Sequence, residues 1–137
     1  MKKVLLIIIA TVVLVTAVLI INLGMTETKV SVLDNSVKIE GVYGVTVDFS
    51  EIAGITMIEY SMEEIGIGDS KGSLSAANGV LKGRFKSPRL GEVLLFVSSQ
   101  TSPTLMIERV DDIDIFISFS DGIKTEHLYR EIKASLP

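Results

Sequence analysis

Cysteine is absent from this chain of 137 residues. Without cysteine there is no disulfide framework, no thiolate nucleophile and no cysteine-ligated metal site. The absence suits an extracytoplasmic domain but does not by itself indicate one.

Histidine is almost as scarce, because His127 is the only one. A serine hydrolase needs a histidine that is oriented by a carboxylate and has a serine within reach. The pattern instead places His127 on the polar side of a C-terminal helix, one turn before Glu131. Carboxylates are plentiful, but a glycosidase pair needs a cleft that a small sheet domain rarely offers. We therefore expect no enzyme, no catalytic residues and no cofactor.

Basic residues are in short supply beyond the N-terminus. Lys2 and Lys3 account for two of the 13 basic residues, which leaves 11 against 17 acidic residues and a net charge of -6. A general nucleic-acid binder needs a surplus of cations to displace counterions. Broad adhesion to anionic lipid needs the same surplus. The charge balance therefore argues against both functions.

A long apolar run follows the first two lysines. No charge occurs from Val4 to Ile21, and the next charged residue is Glu27. At about 1.5 Å per residue, residues 4–23 cover roughly 30 Å, the thickness of a hydrocarbon core. A cleaved signal peptide is the alternative, but its apolar region is shorter, about 7–15 residues, and residues 22–24 make a poor cleavage site.

We therefore expect a retained transmembrane anchor over residues 1–24 of a single-pass protein in the cell membrane. The Lys2–Lys3 pair flanks this anchor and favours a cytoplasmic N-terminus. The C-terminal domain is then expected on the extracytoplasmic side.

The apolar period changes to two after the anchor. Residues 25–34 are expected to form a short linker with a first strand, and residues 35–137 a folded domain. Alternation is clearest in three segments, which are residues 36–40, 45–50 and 112–119. Seven or eight short strands with short turns favour an antiparallel barrel or sandwich. Residues 93–98 and 105–107 are apolar on both faces, so we expect them in central strands.

The last eighteen residues return to a helical period. Apolar or small side chains recur on one face of this predicted amphipathic helix, at Thr125, Leu128, Tyr129, Ile132 and Leu136. Ser120 or Asp121 is expected to cap its start. The helix is expected to close one end of a barrel, so that truncation at Gly122 would unfold the domain.

Residues 61–78 have no clear periodicity, and we expect an irregular loop there. Its glycines, Gly66, Gly68 and Gly72, do not have the spacing of a dinucleotide-binding motif. A second segment, Asp111-Asp112-x-Asp114, has the acidic residues of a calcium loop. It lacks the glycine that such a loop needs at its sixth position, so we expect a tight turn and no metal site.

Several short motifs resemble a family of small bacterial pleckstrin-homology-like (PH-like) domains over residues 35–135. These motifs are Gly41-Val42-Tyr43-Gly44, Asp48, Ile52, Asn78-Gly79, Gly83-Arg84-Phe85, and Asp121 with Thr125, Leu128 and Tyr129. The resemblance implies a mainly β fold, a small antiparallel barrel of about seven strands capped by the C-terminal helix, in a membrane-associated protein. It implies no catalytic residues and no established ligand.

Residues 79–91 hold four of the basic residues, which are Lys82, Arg84, Lys86 and Arg89. On a strand the first three project from one face, while Phe85 projects to the other, toward the core. One interpretation is a solvated face of a hairpin, with Glu92 as a cross-strand neighbour. The other is a patch that binds an anion, such as a lipid headgroup, an anionic wall polymer or an acidic partner protein.

The sequence therefore predicts a membrane-anchored, non-catalytic binding module of the bacterial cell envelope, with an unidentified protein partner and no role in nucleic-acid binding. The alternative is a regulatory or sensor subunit that a membrane complex contacts through the anchor helix.

Overall fold

The computed structural model describes residues 1–25, 27–68, 74, 75 and 78–137, and their side chains except those of residues 20–25 and 74. These residues form three helices, α1 (Lys2–Met25), α2 (Met62–Ile65) and α3 (Gly122–Ser135), and a short 3-10 turn spans Phe49–Glu51. The strands are β1 (Val30–Val32), β2 (Ser36–Ile39), β3 (Val45–Asp48), β4 (Ile52–Ile58), β5 (Leu74–Ser75), β6 (Val80–Ser87), β7 (Gly91–Ser98), β8 (Thr104–Arg109) and β9 (Ile115–Ile117).

Helix α1 is long and apolar enough to cross a membrane. Its 24 residues extend over roughly 36 Å. The hydroxyls of Thr11 and Thr16 each donate to the carbonyl four residues earlier, at 2.8 Å. Both polar groups are thus paired within the helix, as expected for threonine in an apolar segment.

The strands form two separate sheets. Strands β1, β2 and β3 make an antiparallel three-stranded sheet, and the larger sheet has the order β4-β8-β9-β7-β6-β5. In the larger sheet β7 and β9 are parallel neighbours. Strand β8, which lies between them in the sequence, pairs antiparallel with the other edge of β9.

The prediction of one closed antiparallel barrel of about seven strands is therefore wrong, although the chain is mainly β with a helix at each end. The described residues form eight strands of three or more residues, together with the two-residue β5. No ladder joins the two sheets within the described ranges. Alternation shows that a strand has a buried face, but it does not specify which strand is its partner.

Each face of the larger sheet carries a buried cluster. One face packs against the small sheet and α3, through a cluster that includes Val37, Val47, Phe96 and Leu128. The opposite face packs against Met62 of α2 and the segment after it. As expected from their sequences, β7 and β8 are interior strands.

Strand β9 differs from the expectation of a half-buried strand. All residues from Ile115 to Phe119 are buried, and Phe116 packs in the cluster under α2 while Ile115 and Ile117 pack in the other. Because a buried cluster packs on each face of the sheet at this strand, β9 has no face toward solvent.

Helix α3 has the predicted face and cap. Thr125, Leu128 and Ile132 are buried, and the Asp121 side chain accepts a hydrogen bond from the Ile123 N–H at 3.0 Å. The helix packs against β4 and β8. It thus covers a sheet face beside the small sheet instead of closing the end of a barrel.

The segment predicted as an irregular loop, residues 61–78, begins with α2. The Ser61 hydroxyl caps this helix by accepting from the Glu64 N–H, and Met62 is fully buried. The backbone of Gly68 lies directly against the Lys86 carbonyl of β6. Residues 69–73, 76 and 77, and with them Gly72, lie outside the described residues.

Candidate functional site

The basic residues lie on the β6–β7 hairpin, as predicted. Across the ladder Lys82 pairs with Phe96, Arg84 with Leu94 and Lys86 with Glu92. Directly paired residues share a face of the sheet. The three cations therefore project from one face, and Phe85, which is 3% exposed, packs in the core on the other.

The turn after β6 holds Arg89 outside the core. The Ser87 hydroxyl donates to the Gly66 carbonyl at 2.8 Å and accepts from the Leu90 N–H at 3.3 Å. Gly91 closes the turn with a φ of 77°, a conformation that glycine adopts without strain. Arg89 is exposed in this turn, and Ser87 joins the turn to the segment after α2.

Lys82 is not part of the exposed face, which corrects the prediction that all three aligned cations face solvent. Its side chain is only 4% exposed. At this position β5 pairs with one edge of β6, and Phe96 is the cross-strand neighbour on the other. Burial lowers the pKa of the Lys82 amine. No hydrogen-bond or ion-pair partner of Lys82 occurs in the described part of the chain.

The exposed cations of the β6–β7 hairpin are thus Arg84, Lys86 and Arg89, which we call the basic patch. Lys86 lies opposite Glu92, so part of its charge is offset across the ladder. Arg84 lies opposite the nearly buried Leu94. The patch therefore presents guanidinium and ammonium groups on a regular hairpin, which suits them to contact an anion from solvent.

The acidic segment between β8 and β9 forms a turn, as predicted. Arg109, whose side chain is 6% exposed, pairs with Asp112 at 3.3 Å and donates through Nε to the Ile113 carbonyl at 2.7 Å. Asp114 accepts from the Arg109 N–H at 3.2 Å. These carboxylates are used by the turn itself. No group of three or more metal-ligating side chains occurs among residues 1–25, 27–68, 74, 75 and 78–137.

Two further concave surfaces in the described part of the chain are lined largely by acidic and small polar side chains. A cavity of about 590 Å³ near the end of α3 is lined by residues that include Asp34, Asn35 and Asp48. A second, of about 330 Å³, is lined by Glu51, Arg109 and their neighbours. His127 is exposed on α3 and lines neither cavity.

The segment after α1 is a structural feature that the sequence did not reveal. The Ser120 N–H donates to Glu27 Oε1, and Lys124 Nζ lies 3.9 Å from Glu27 Oε2. The same ammonium group lies 4.4 Å from the centroid of the Phe119 ring. Glu27 therefore joins the chain to the start of α3 two residues after α1 ends. Its only signal in the sequence is that it is the first charge after the apolar run.

Thr28 is buried next to this contact. It is 5% exposed, and within the described ranges its hydroxyl oxygen has no hydrogen-bond partner. It lines a small cavity with Val80, Phe96 and Ser118. Glu27 and Thr28 therefore both lie against the folded part of the chain, and the ladder of β1 follows at Val30.

Comparison of this chain with protein-family models, with curated proteins and with solved structures found no match. The PH-like resemblance of residues 35–135 therefore stays a prediction. The functional argument depends on the geometry described above.

Proposed function

We propose that the protein is a membrane-anchored, non-catalytic binding module of the cell envelope, in which α1 is the anchor and the basic patch is the contact surface. The observation that carries the proposal is the exposure of Arg84, Lys86 and Arg89 on one regular hairpin. These cations stand out because residues 4–137 have a net charge of -6. A localised basic surface on an acidic domain attracts an acidic partner without promoting general adhesion to anions.

The position of the patch along β6 favours an acidic protein as the partner. Strand β6 begins at Val80, which lines a cavity together with Thr28 of the linker. Seven residues farther along, at about 3.3 Å each, Ser87 lies roughly 23 Å away. Lys86 and Arg89 are thus at the end of the strand remote from the linker. An acidic protein surface can reach them there more readily than the headgroups beside α1 can, and an anionic wall polymer is the second choice.

The setting of the proposal is the cell membrane, with a cytoplasmic N-terminus and an extracytoplasmic domain. Support comes from the length and composition of α1 and from the Lys2–Lys3 pair before it. The direct connection between α1 and the domain supports an anchor over a removable leader. Because Thr28 is buried and Glu27 contacts Ser120, cleavage near residue 24 would leave a new terminus at the edge of the fold.

The alternative, a regulatory subunit contacted through its anchor, has less support. Helix α1 is apolar on all sides over its described side chains. Its two threonine hydroxyls are already bonded within the helix. Interhelical hydrogen bonds, which often specify contacts between membrane helices, therefore have few donors here.

The experiment compares two variants of the full chain with the same net charge. The patch variant carries Arg84→Gln, Lys86→Gln and Arg89→Gln. The control variant carries Lys38→Gln, Arg130→Gln and Lys133→Gln, which change three exposed cations elsewhere. Each chain is cross-linked in cells and purified by an affinity tag, and the cross-linked partners are quantified at several salt concentrations.

The proposal predicts a partner that cross-links to the unaltered chain and to the control variant but is lost from the patch variant. Its recovery is expected to fall as salt rises, because solvent-exposed charges are screened. Equal recovery from both variants would leave the basic patch with a solubility role only. A hydrolytic activity that depends on His127 would contradict the non-catalytic class.

A further inference from the structure

The short connection after α1 fixes which end of the domain is next to the anchor. Helix α1 ends at Met25, and Glu27 already contacts the start of α3. Two residues of chain span at most about 7 Å. A helix of roughly 36 Å exceeds a hydrocarbon core of about 30 Å by only a few ångströms. With α1 across a bilayer, Glu27 therefore lies at the level of the lipid headgroups.

Three large apolar side chains are exposed on the domain near this point. They are Val42 at 71%, Tyr60 at 60% and Ile123 at 65% exposure. They belong to three different segments, which are the β2–β3 loop, the connection between β4 and α2, and the first turn of α3. Their relation to Glu27 follows from the hydrogen bonds and the strand register.

Ile123 is placed by Glu27 itself. Glu27 accepts from the Ser120 N–H and pairs with Lys124, so the residues on either side of Ile123 are held at the linker. Val42 is placed by the small sheet, in which Ile39 pairs with both Val30 and Val45.

Because β1 starts three residues after Glu27, the loop at residues 40–44 lies at the same end as the linker. The Glu40 N–H donates to the Lys29 carbonyl at 2.9 Å, which ties that loop to the linker directly.

Tyr60 is placed by the loop before β8. Its carbonyl accepts from the Thr104 hydroxyl at 2.8 Å. A Cβ added to Gly122 would lie 2.7 Å from the Ser102 carbonyl oxygen, so this loop lies against the start of α3. Tyr60 is thus connected through residues 102–104 to the helix turn that holds Ile123.

We propose that the linker end, defined as the surface around Val42, Tyr60 and Ile123, rests on the bilayer that α1 spans and inserts these three side chains at the lipid interface. This inference rests on the proposed function, since it requires α1 to be a membrane anchor. Tyrosine and aliphatic side chains suit this level, where an apolar body meets polar headgroups. The domain then stands with β6 and β7 directed away from the membrane.

The charges at the linker end indicate which lipid is needed. Lys29 and Lys124 are exposed there, and Glu27, Glu40 and Glu59 lie among them. The acidic residues at least match the cations, so the contact does not depend on anionic lipid. Vesicles of neutral phosphatidylcholine are therefore sufficient, and phosphatidylglycerol adds little. The competing arrangement lays the β6 face on the membrane, where Arg84 and Lys86 would contact headgroups and require anionic lipid.

The absence of cysteine makes the experiment simple, because every single-cysteine variant of the full chain has one labelling site. Nitroxide labels are attached to Val42→Cys, Tyr60→Cys and Ile123→Cys at the linker end. Matched controls are Leu33→Cys, Leu90→Cys and Val110→Cys, which replace apolar residues of similar exposure at the opposite end of the strands. Arg84→Cys reports on the β6 face. In phosphatidylcholine vesicles, label accessibility to oxygen is compared with accessibility to a water-soluble nickel complex.

The linker-end labels are expected to show several-fold lower accessibility to the nickel complex and higher accessibility to oxygen than the three controls and the label at position 84. Equal accessibility at both ends, or protection at position 84 in place of the linker end, would overturn the inference while α1 still anchors the chain. Protection that disappears when lipid is added in excess would assign the surface to contacts between copies, which also overturns it. Chains that do not float with the vesicles at all would overturn the proposed anchor as well.

Discussion

Replacement of Lys82 by methionine is expected to stabilise the protein, although it removes a cation from the most basic part of the sequence. The Lys82 side chain is 4% exposed and has no ion-pair or hydrogen-bond partner in the described part of the chain. Methionine fills a similar volume beside Phe96 without burying a charge. Replacement of buried charged groups by well-packed apolar residues is often neutral or stabilising by about 1–4 kcal/mol, and we expect about 1–2 kcal/mol for this single amine.

A gain of about 1–2 kcal/mol corresponds to a rise in Tm of roughly 4–8 °C for a domain of this size. The measurement is thermal unfolding of the full chain in detergent micelles, followed by circular dichroism. Arg84→Met and Lys86→Met are the controls. Both replace exposed cations, and we expect them to change the free energy of unfolding by no more than about 0.5 kcal/mol.

The stabilisation by Lys82→Met should also depend on pH. Burial lowers the pKa of Lys82 in the folded state below its ordinary value of 10.5. Between the lowered pKa and 10.5 the unfolded chain binds more protons, so the stability of the unaltered protein rises with pH in that window. The advantage of the methionine variant should therefore be largest near neutral pH and shrink as the pH approaches 10.5. A destabilised methionine variant, or a gain equal to that of Arg84→Met, would refute the buried position of Lys82.

Three further predictions concern Thr28 in the linker, the cap of α3 and the contact between Gly68 and β6. Each is measured by the same unfolding assay. Thr28→Val removes a buried hydroxyl that has no hydrogen-bond partner among the described residues and should stabilise the protein by about 1 kcal/mol; destabilisation would show that the hydroxyl has a partner. Asp121→Ala should cost about 1 kcal/mol because the cap of α3 is lost, whereas Ser120→Ala should cost less, and the reverse order would contradict the observed cap. Gly68→Ala should cost about 1–3 kcal/mol because its Cβ would collide with a β6 carbonyl, while Gly54→Ala, with open space around it, should cost less.

The sequence predicted the elements that depend on local periodicity. The apolar run, the β6–β7 hairpin and α3 with its Asp121 cap all appear where expected. Helix α2 was missed, although Ser61 and Glu64 have the spacing of a capping box. Four residues are too few for a helical period to show.

What could not be predicted depends on the partners of each strand. Alternation places Lys82, Arg84 and Lys86 on one face, but it cannot show that the first of them is buried where β5 pairs with β6. In the same way Phe116 is buried because Met62 and the segment after it pack on that face of the sheet, which is a non-local arrangement. The contact between Glu27 and Ser120 joins residues far apart in the chain, so no local pattern indicates it.

The most direct test of the account places a photo-activated cross-linking residue at Lys86, with Lys133 as the matched exposed position, in a chain whose α1 is replaced by an unrelated apolar helix. If the basic patch is the contact surface and α1 only the anchor, position 86 still yields the partner adduct in cells, and position 133 does not. Loss of the adduct on exchange of α1, with the chain still in the membrane, would contradict the account and support contact through the anchor helix.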